Sequence, residues 1–255
     1  MRLNFLAIAI AGATAASGAF AADLPARKSP APAAAPQAWS WTGCYAGVNA
    51  GDAWRGNSVF DPQADVGAGG DTSNAFAGGG QIGCDYQAAA WVFGLQSTVD
   101  WTALNGHHLY PGSATETLAN KTNWFATETA RLGYLIAPQW LIYVKGGVAE
   151  TRFRYTDDDP SVSATSPYWG SASAEQTGWV IGGGGEYAFA RNWSLFAEYD
   201  YADFGRSNLT FSYVAPNPAN ATPYAYRETN NLQTVLVGLN FRFDWASPAP
   251  IAGRY

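Results

Sequence analysis

Five tryptophans divide the chain at a nearly constant interval. Trp41, Trp91, Trp140, Trp193 and Trp245 stand 50, 49, 53 and 52 residues apart. A period of this size signals an array of similar supersecondary units. Strand-like runs fall at roughly 41–54, 74–86, 91–102, 122–136, 140–154, 176–189, 193–205 and 231–244. Their connections alternate in length. Residues 87–90, 137–139 and 190–192 form tight turns, whereas 55–73, 103–121, 155–175 and 206–230 are long and rich in Gly, Asn, Ser, Pro and Asp. Each unit is therefore two strands and one long loop. A propeller blade would need four strands per unit, so the pattern predicts an all-β, eight-stranded antiparallel up-and-down transmembrane β-barrel.

Period-two alternation fits that reading. Residues 91–102 carry Trp91, Phe93, Leu95, Val99 and Trp101 on one face, broken by Ser97, with Gln96, Thr98 and Asp100 on the other. Residues 231–243 divide likewise into Val235, Val237, Leu239, Phe241 and Phe243 against Gly238, Asn240 and Arg242. A soluble sandwich shares this alternation with its apolar face turned inward, so aromatic placement has to decide. Trp41, Trp91, Trp140, Trp193 and Trp245 are expected to ring the short-turn end. Trp54, Trp101, Trp124 and Trp179 fall near the long-loop end. Two aromatic belts flanking an apolar band mark the two interfaces of a bilayer.

The N-terminus supplies the compartment. Arg2, the apolar run Leu3–Ala16 and the small-x-small site at Ala19-Phe20-Ala21 read as a signal peptide over 1–21. A Pro/Ala-rich periplasmic linker is expected over 22–38, the barrel over 39–245 and a tail over 246–255, where two prolines bar a regular strand. Without Arg2 the mature chain has 13 bases against 20 acids, an acidity that argues against nucleic acid as a partner. The two cysteines, Cys44 and Cys84, fall on one outward face of the first two strands in an oxidising compartment. A disulfide stapling the first hairpin is the expectation.

The stretches "WTGCYAGVNAG", "GGGQIGCDYQ", "RLGYLI…WLIYVKGGVAE", "TGWVIGGGGEYAFARNWSLFAEYDYADFG" and "LQTVLVGLNFRF" resemble the small outer-membrane β-barrel surface antigens of alphaproteobacteria. These form a branch of the OmpA-like and opacity-type eight-stranded superfamily. The resemblance runs from "ADLP" to Phe243 and implies a monomeric barrel in the outer membrane. Its implied partners are outer-membrane lipid, lipopolysaccharide and the barrel-assembly machinery, and it implies no cofactor and no enzymatic activity. Contact of the linker with peptidoglycan is left open. So is the signal read by the assembly machinery, since the chain continues past Phe243. Where relatives carry two arginines at alternate positions of the fourth strand, this chain has Thr129 and then Arg131.

The facing assigned above turns Asp85, Asp100, Glu186, Glu198 and Asp200 inward together with Arg131, Lys145 and Arg242. An eight-stranded barrel is just wide enough for side chains to fill, so these charges are expected to form a paired network rather than an ion path. Glu128 falls on the lipid face, where a charge is costly, so a bulge or a shifted register is expected there. His107 and His108 are placed in the second long loop, as a candidate for a haem or metal ligand. Asp157–Asp159 form a solvated acidic run. The four glycines Gly182–Gly185 lack the Lys-Ser/Thr of a phosphate loop. Gly183 is expected opposite Tyr199, with Gly182 and Gly184 facing Asp200 and Glu198 to leave room in the lumen. The function expected is structural, with surface contacts through the long loops. The alternative is a narrow porin-like channel or a haem-binding receptor.

Overall fold

The structure, a computed structural model, describes residues 39–159, 168–213 and 224–243. The expected signal peptide, the linker over 22–38, Trp245 and the tail over 246–255 lie outside the described residues. Nine strand segments follow one another: β1 (Gly43–Asp61), β2 (Val66–Gly69), β3 (Thr72–Ala88), β4 (Trp91–Leu109), β5 (Thr117–Ala137), β6 (Trp140–Asp159), β7 (Tyr168–Ala190), β8 (Trp193–Tyr213) and β9 (Tyr224–Arg242). Each pairs antiparallel with its neighbour, and β1 pairs with β9 from Tyr45–Arg242 to Phe60–Arg227. That pairing closes the sheet and removes both edges. β2 and β3 are one stave interrupted at Gly70–Asp71, both hydrogen-bonded to β1. The barrel therefore has eight staves.

The strands run well beyond the expected ends, into segments read from composition as loops. The reason is a second apolar pattern of opposite sense. Between the aromatic belts the apolar side chains face out, as with Leu95, Leu132, Val144 and Val237, while polar ones face in. Beyond Trp54, Trp101, Trp124 and Trp179 the interior takes in apolar side chains alongside polar ones. Leu104, Leu118, Phe153, Phe204, Leu209, Phe211 and Tyr226 pack into one buried cluster there, and Lys121, Arg152, Arg154 and Arg206 turn outward. The exterior solvent has changed from hydrocarbon to water, so the favoured face has changed with it. Composition showed these segments as polar, but their buried faces are those of ordinary water-soluble strands.

A bulge helps to make the change of sense. Asn123 and Trp124 of β5 both stand opposite the single residue Arg152 of β6, because Thr122 pairs with Phe153 and Phe125 with Thr151. The extra residue moves the inward set of β5 from Phe125, Thr127, Thr129 and Arg131 to Thr122, Asn120 and Leu118. The bulge lies upstream of Glu128 and leaves it where it was.

The glycine run behaves as spacing. Gly182 pairs with Asp200, Gly183 with Tyr199 and Gly184 with Glu198. A Cβ on Gly182 would stand 1.8 Å from an Asp200 carboxylate oxygen and 2.6 Å from the Tyr199 carbonyl. Only a residue without a side chain admits these acids to the lumen.

Candidate functional site

The candidate site is the barrel interior, in three layers. In the periplasmic layer Arg131 is nearly fully buried and bridges Asp85 on β3 and Glu186 on β7, the latter at 3.1 Å. Its guanidinium also lies 5.0 Å from the ring centres of both Tyr45 and Tyr143, a sandwich suited to a planar cation. Arg242 reaches the same Asp85 at 2.8 Å and donates to the carbonyls of Trp41 and Gly43. Lys145 sits between Glu198 at 2.9 Å and Asp200 at 2.8 Å. The hydroxyl of Tyr143 donates to Glu198, and Asn240 donates to Glu186. Of the eight charges expected inside, seven are thus joined into two ion-paired groups. Removing one member of such a group leaves an uncompensated buried charge, at a cost of about 3–5 kcal/mol.

Asp100 is the eighth and stands apart. It is 0 % exposed, and no base pairs with its carboxylate among the described residues; the buried Asn49 side chain is its polar neighbour. It shares with Asp200, Thr98, Thr127 and Thr234 the wall of a cavity of about 10 Å³, room for a single water.

Trp41 corrects the expected periplasmic girdle. It is 0 % exposed and precedes β1, where the chain turns across the end of the barrel instead of continuing the wall. Its indole N–H donates to the Pro138 carbonyl at 3.2 Å, its backbone N–H donates to Gln87, and Arg242 covers its ring. Trp41 is a stopper. Trp91, Trp140 and Trp193 stand outside and meet Tyr134, Tyr187 and Phe241 ring to ring. At the other end Trp54, Trp101 and Trp179 are exposed and Trp124 is half-buried.

The extracellular layer holds a polar cluster that the sequence reading did not assemble. Arg55, fully buried, donates to Thr122 and lies 3.8 Å from Asp71. Asn120 donates to Asp71 at 2.7 Å. Burial by itself would raise the Asp71 carboxyl, but its contacts with His108 and Asn120 and the charge of Arg55 hold it below the usual range. Glu228 lies above the belt, beside Tyr155 and Asn230, and burial pushes its carboxyl up to about 7. The signal that could have found this cluster is the inward alternation Asn120–Thr122, Phe153–Tyr155 and Glu228–Asn230, which the loop assignment hid.

The histidine pair is corrected by the same extension. His107 and His108 are strand residues of β4, not loop residues, so their side chains leave opposite faces of the sheet. His107 faces out, and His108 faces in, 3.1 Å from the Ala68 carbonyl and 3.7 Å from Asp71. They cannot close on one metal or haem iron. The acidic run is strand as well: Asp157 is buried and Asp158 exposed at the end of β6.

Glu128 is a further correction. The β5 register is unbroken from Phe125 to Leu135, and Glu128 stands exposed on the outer face, accepting a hydrogen bond from Ser97 at 2.6 Å. No bulge or shift turns it inward. Cys44 and Cys84, in contrast, are direct cross-strand partners and form the disulfide, leaving no free cysteine.

A closed eight-stave barrel, apolar outside between two aromatic belts and filled with paired charges within, is a transmembrane barrel of the outer-membrane type. Residues 6–243 match the outer membrane protein beta-barrel domain family, and the chain belongs to that family as an outer-membrane protein. It is 33% identical over 243 residues to the 31 kDa outer-membrane immunogenic protein of Brucella melitensis, covering 89% of this chain and 95% of that one. A Coxiella burnetii protein is 29% identical over 183 residues, 67% of this chain and 70% of its own length. Among solved structures, the outer membrane protein OprG of Pseudomonas aeruginosa superposes with a TM-score of 0.47 at 12% identity, over 79% of this chain and 96% of that chain.

Proposed function

We propose that this barrel is a structural, non-enzymatic component of the outer membrane that presents its extracellular rim for surface contacts and does not conduct. The observation that carries the reading is the filling of the lumen from end to end. Trp41 closes the periplasmic end, the Arg131 and Lys145 groups fill the layer above it, and the aromatic cluster fills the extracellular half. Two relatives from Brucella bear the name of immunogenic proteins, which accords with exposure at the cell surface. Planar-bilayer recording tests the proposal. Baseline current is expected, and large stable conductance steps would overturn it.

Lipopolysaccharide is the outer-leaflet partner in this reading. Lys121 of β5 pairs in register with Arg154 of β6, and both are exposed on the outer face. Like charges directly opposite are unfavourable unless an anion joins them. Lys121 lies three residues beyond Trp124, a distance of about 8 Å along a tilted strand, which is where outer-leaflet phosphates are met. Replacing both bases (Lys121→Ala with Arg154→Ala) is expected to lower the lipopolysaccharide that co-purifies with the folded barrel. Unchanged co-purification would remove this pair from the contact.

A further inference from the structure

Between the two belts the lumen holds five buried acids, Asp85, Asp100, Glu186, Glu198 and Asp200, against three buried bases, Arg131, Lys145 and Arg242. The imbalance is local. Arg131 and Arg242 answer Asp85 and Glu186 charge for charge. Lys145 alone answers both Glu198 and Asp200, and Asp100 is bonded to no base among the described residues. Two negative charges are left over in that layer, inside a wall clad in hydrocarbon. Buried charge in such a place has to be cancelled, by protons or by a cation.

Asp100 and Asp200 both wall the cavity of about 10 Å³ described above, together with Thr98, Thr127 and Thr234. Thr127 is 6 % and Asp200 7 % exposed. The Thr127 hydroxyl and one Asp200 oxygen have no hydrogen-bond partner among the described residues. Lys145 holds the other Asp200 oxygen, so the free one is left for the cavity. On three strands the polar liner stands on the periplasmic side of an apolar one: Thr127 below Phe125, Asp200 below Ala202 and Thr234 below Leu232. The space has an oxygen-lined floor and an apolar roof.

We propose that this cavity holds one dehydrated metal cation, calcium by its charge, bound by Asp100 and Asp200 with the three threonine hydroxyls completing the shell. One divalent ion cancels the two surplus charges. The Asp100 carboxylate, the free oxygen of Asp200 and the hydroxyls of Thr98, Thr127 and Thr234 supply about six oxygen donors, the lower end of the range calcium takes. Magnesium fits less well, because it keeps several of its waters and the space admits a single water-sized sphere. Asn49 steadies the Asp100 carboxylate. Trp41 closes one end of the lumen and the aromatic cluster the other, so the ion is captured as the ring closes and leaves slowly.

The test refolds the full-length chain into neutral detergent, free of lipopolysaccharide and its own cations, with either calcium or a chelator and potassium alone. Desalted through chelator, wild-type protein folded with calcium is expected to retain about one calcium per chain by elemental analysis. Its urea midpoint should also exceed that of the calcium-free sample. D100N removes a surplus charge and is expected to fold, to retain at least about tenfold less calcium and to unfold at one midpoint with or without the ion. T127V removes one donor and no charge, so it should retain less calcium while still folding; it carries the comparison if D100N does not fold. D158N, at the exposed end of β6, controls for surface acids and should match wild type. Gel mobility of unheated samples verifies each barrel. A wild-type barrel that retains no calcium and unfolds alike with and without it would overturn the site, since protons then cancel the charge. So would calcium that D100N and T127V keep in full, or that chelator strips at once. Conductance is not read here, so failure of the ion site and failure of the closed-lumen reading are separable.

Discussion

Arg131 shows how much a single residue can hold together. Its two carboxylate partners come from β3 and β7, and its guanidinium face is covered by Tyr45 and Tyr143. Replacement by Met keeps much of the volume but strands Glu186 and half of Asp85's pairing. R131M should therefore cost about 3–5 kcal/mol in urea unfolding of the refolded barrel. A loss below 1 kcal/mol would mean that the lumen rearranges freely. Glu228 carries the pH dependence of the extracellular half. Its folded carboxyl titrates near 7 against an ordinary 4.5, so the folded state keeps a proton that the unfolded chain has already released. Stability contributed by this group is full below about pH 4.5, falls as pH rises, and is gone above about 7, by at most about 3 kcal/mol. Amide exchange at the tops of β6 and β9 should therefore quicken between pH 5 and pH 8, and E228Q should flatten that difference. Exchange that slows with rising pH, after correction for its intrinsic rate, would contradict the assignment.

Single strands carried most of their own information. The inward and outward sets of β4 and β9 were readable because successive side chains alternate by geometry. The register of β7 on β8 followed from the short turn at 190–192. Gly182 and Gly185 separate a spacing role from a flexible one. Gly182→Ala should destabilise by about 1–3 kcal/mol through overpacking against Asp200, whereas Gly185→Ala meets only the Leu141 carbonyl at 3.8 Å and should be tolerated. Equal effects on the unfolding midpoint would reduce both to backbone entropy. The Cys44–Cys84 staple belongs to the same scale. Thiol titration of denatured, unreduced protein should find no free thiol, and two would refute the disulfide. The strand ends were not legible, because polar outward residues above the membrane look like loop composition until their apolar inward partners are seen packed together.

The molecule as a whole is two folds in one wall: an inside-out barrel within the membrane and an ordinary barrel above it, joined at a ring of tryptophans. Such a barrel should resist unfolding in detergent at ambient temperature, so unheated protein should migrate differently from boiled protein on a gel; identical mobility would argue against a folded barrel. The sequence by itself determined the eight strands, their facing between the belts, the compartment and the pairing of the two cysteines. These depend on period-two alternation, turn lengths and composition, all local in the chain. Only the tertiary structure decided which acid meets which base, that Trp41 plugs the barrel, that His107 and His108 part company, and that no bulge takes Glu128 off the outer face. Those outcomes depend on closure. The pairing of β1 with β9 and the stagger it imposes set the neighbours across the lumen, and residues 46 to 157 positions apart, such as Asp85 with Arg131 and Arg242, meet only once the ring is shut.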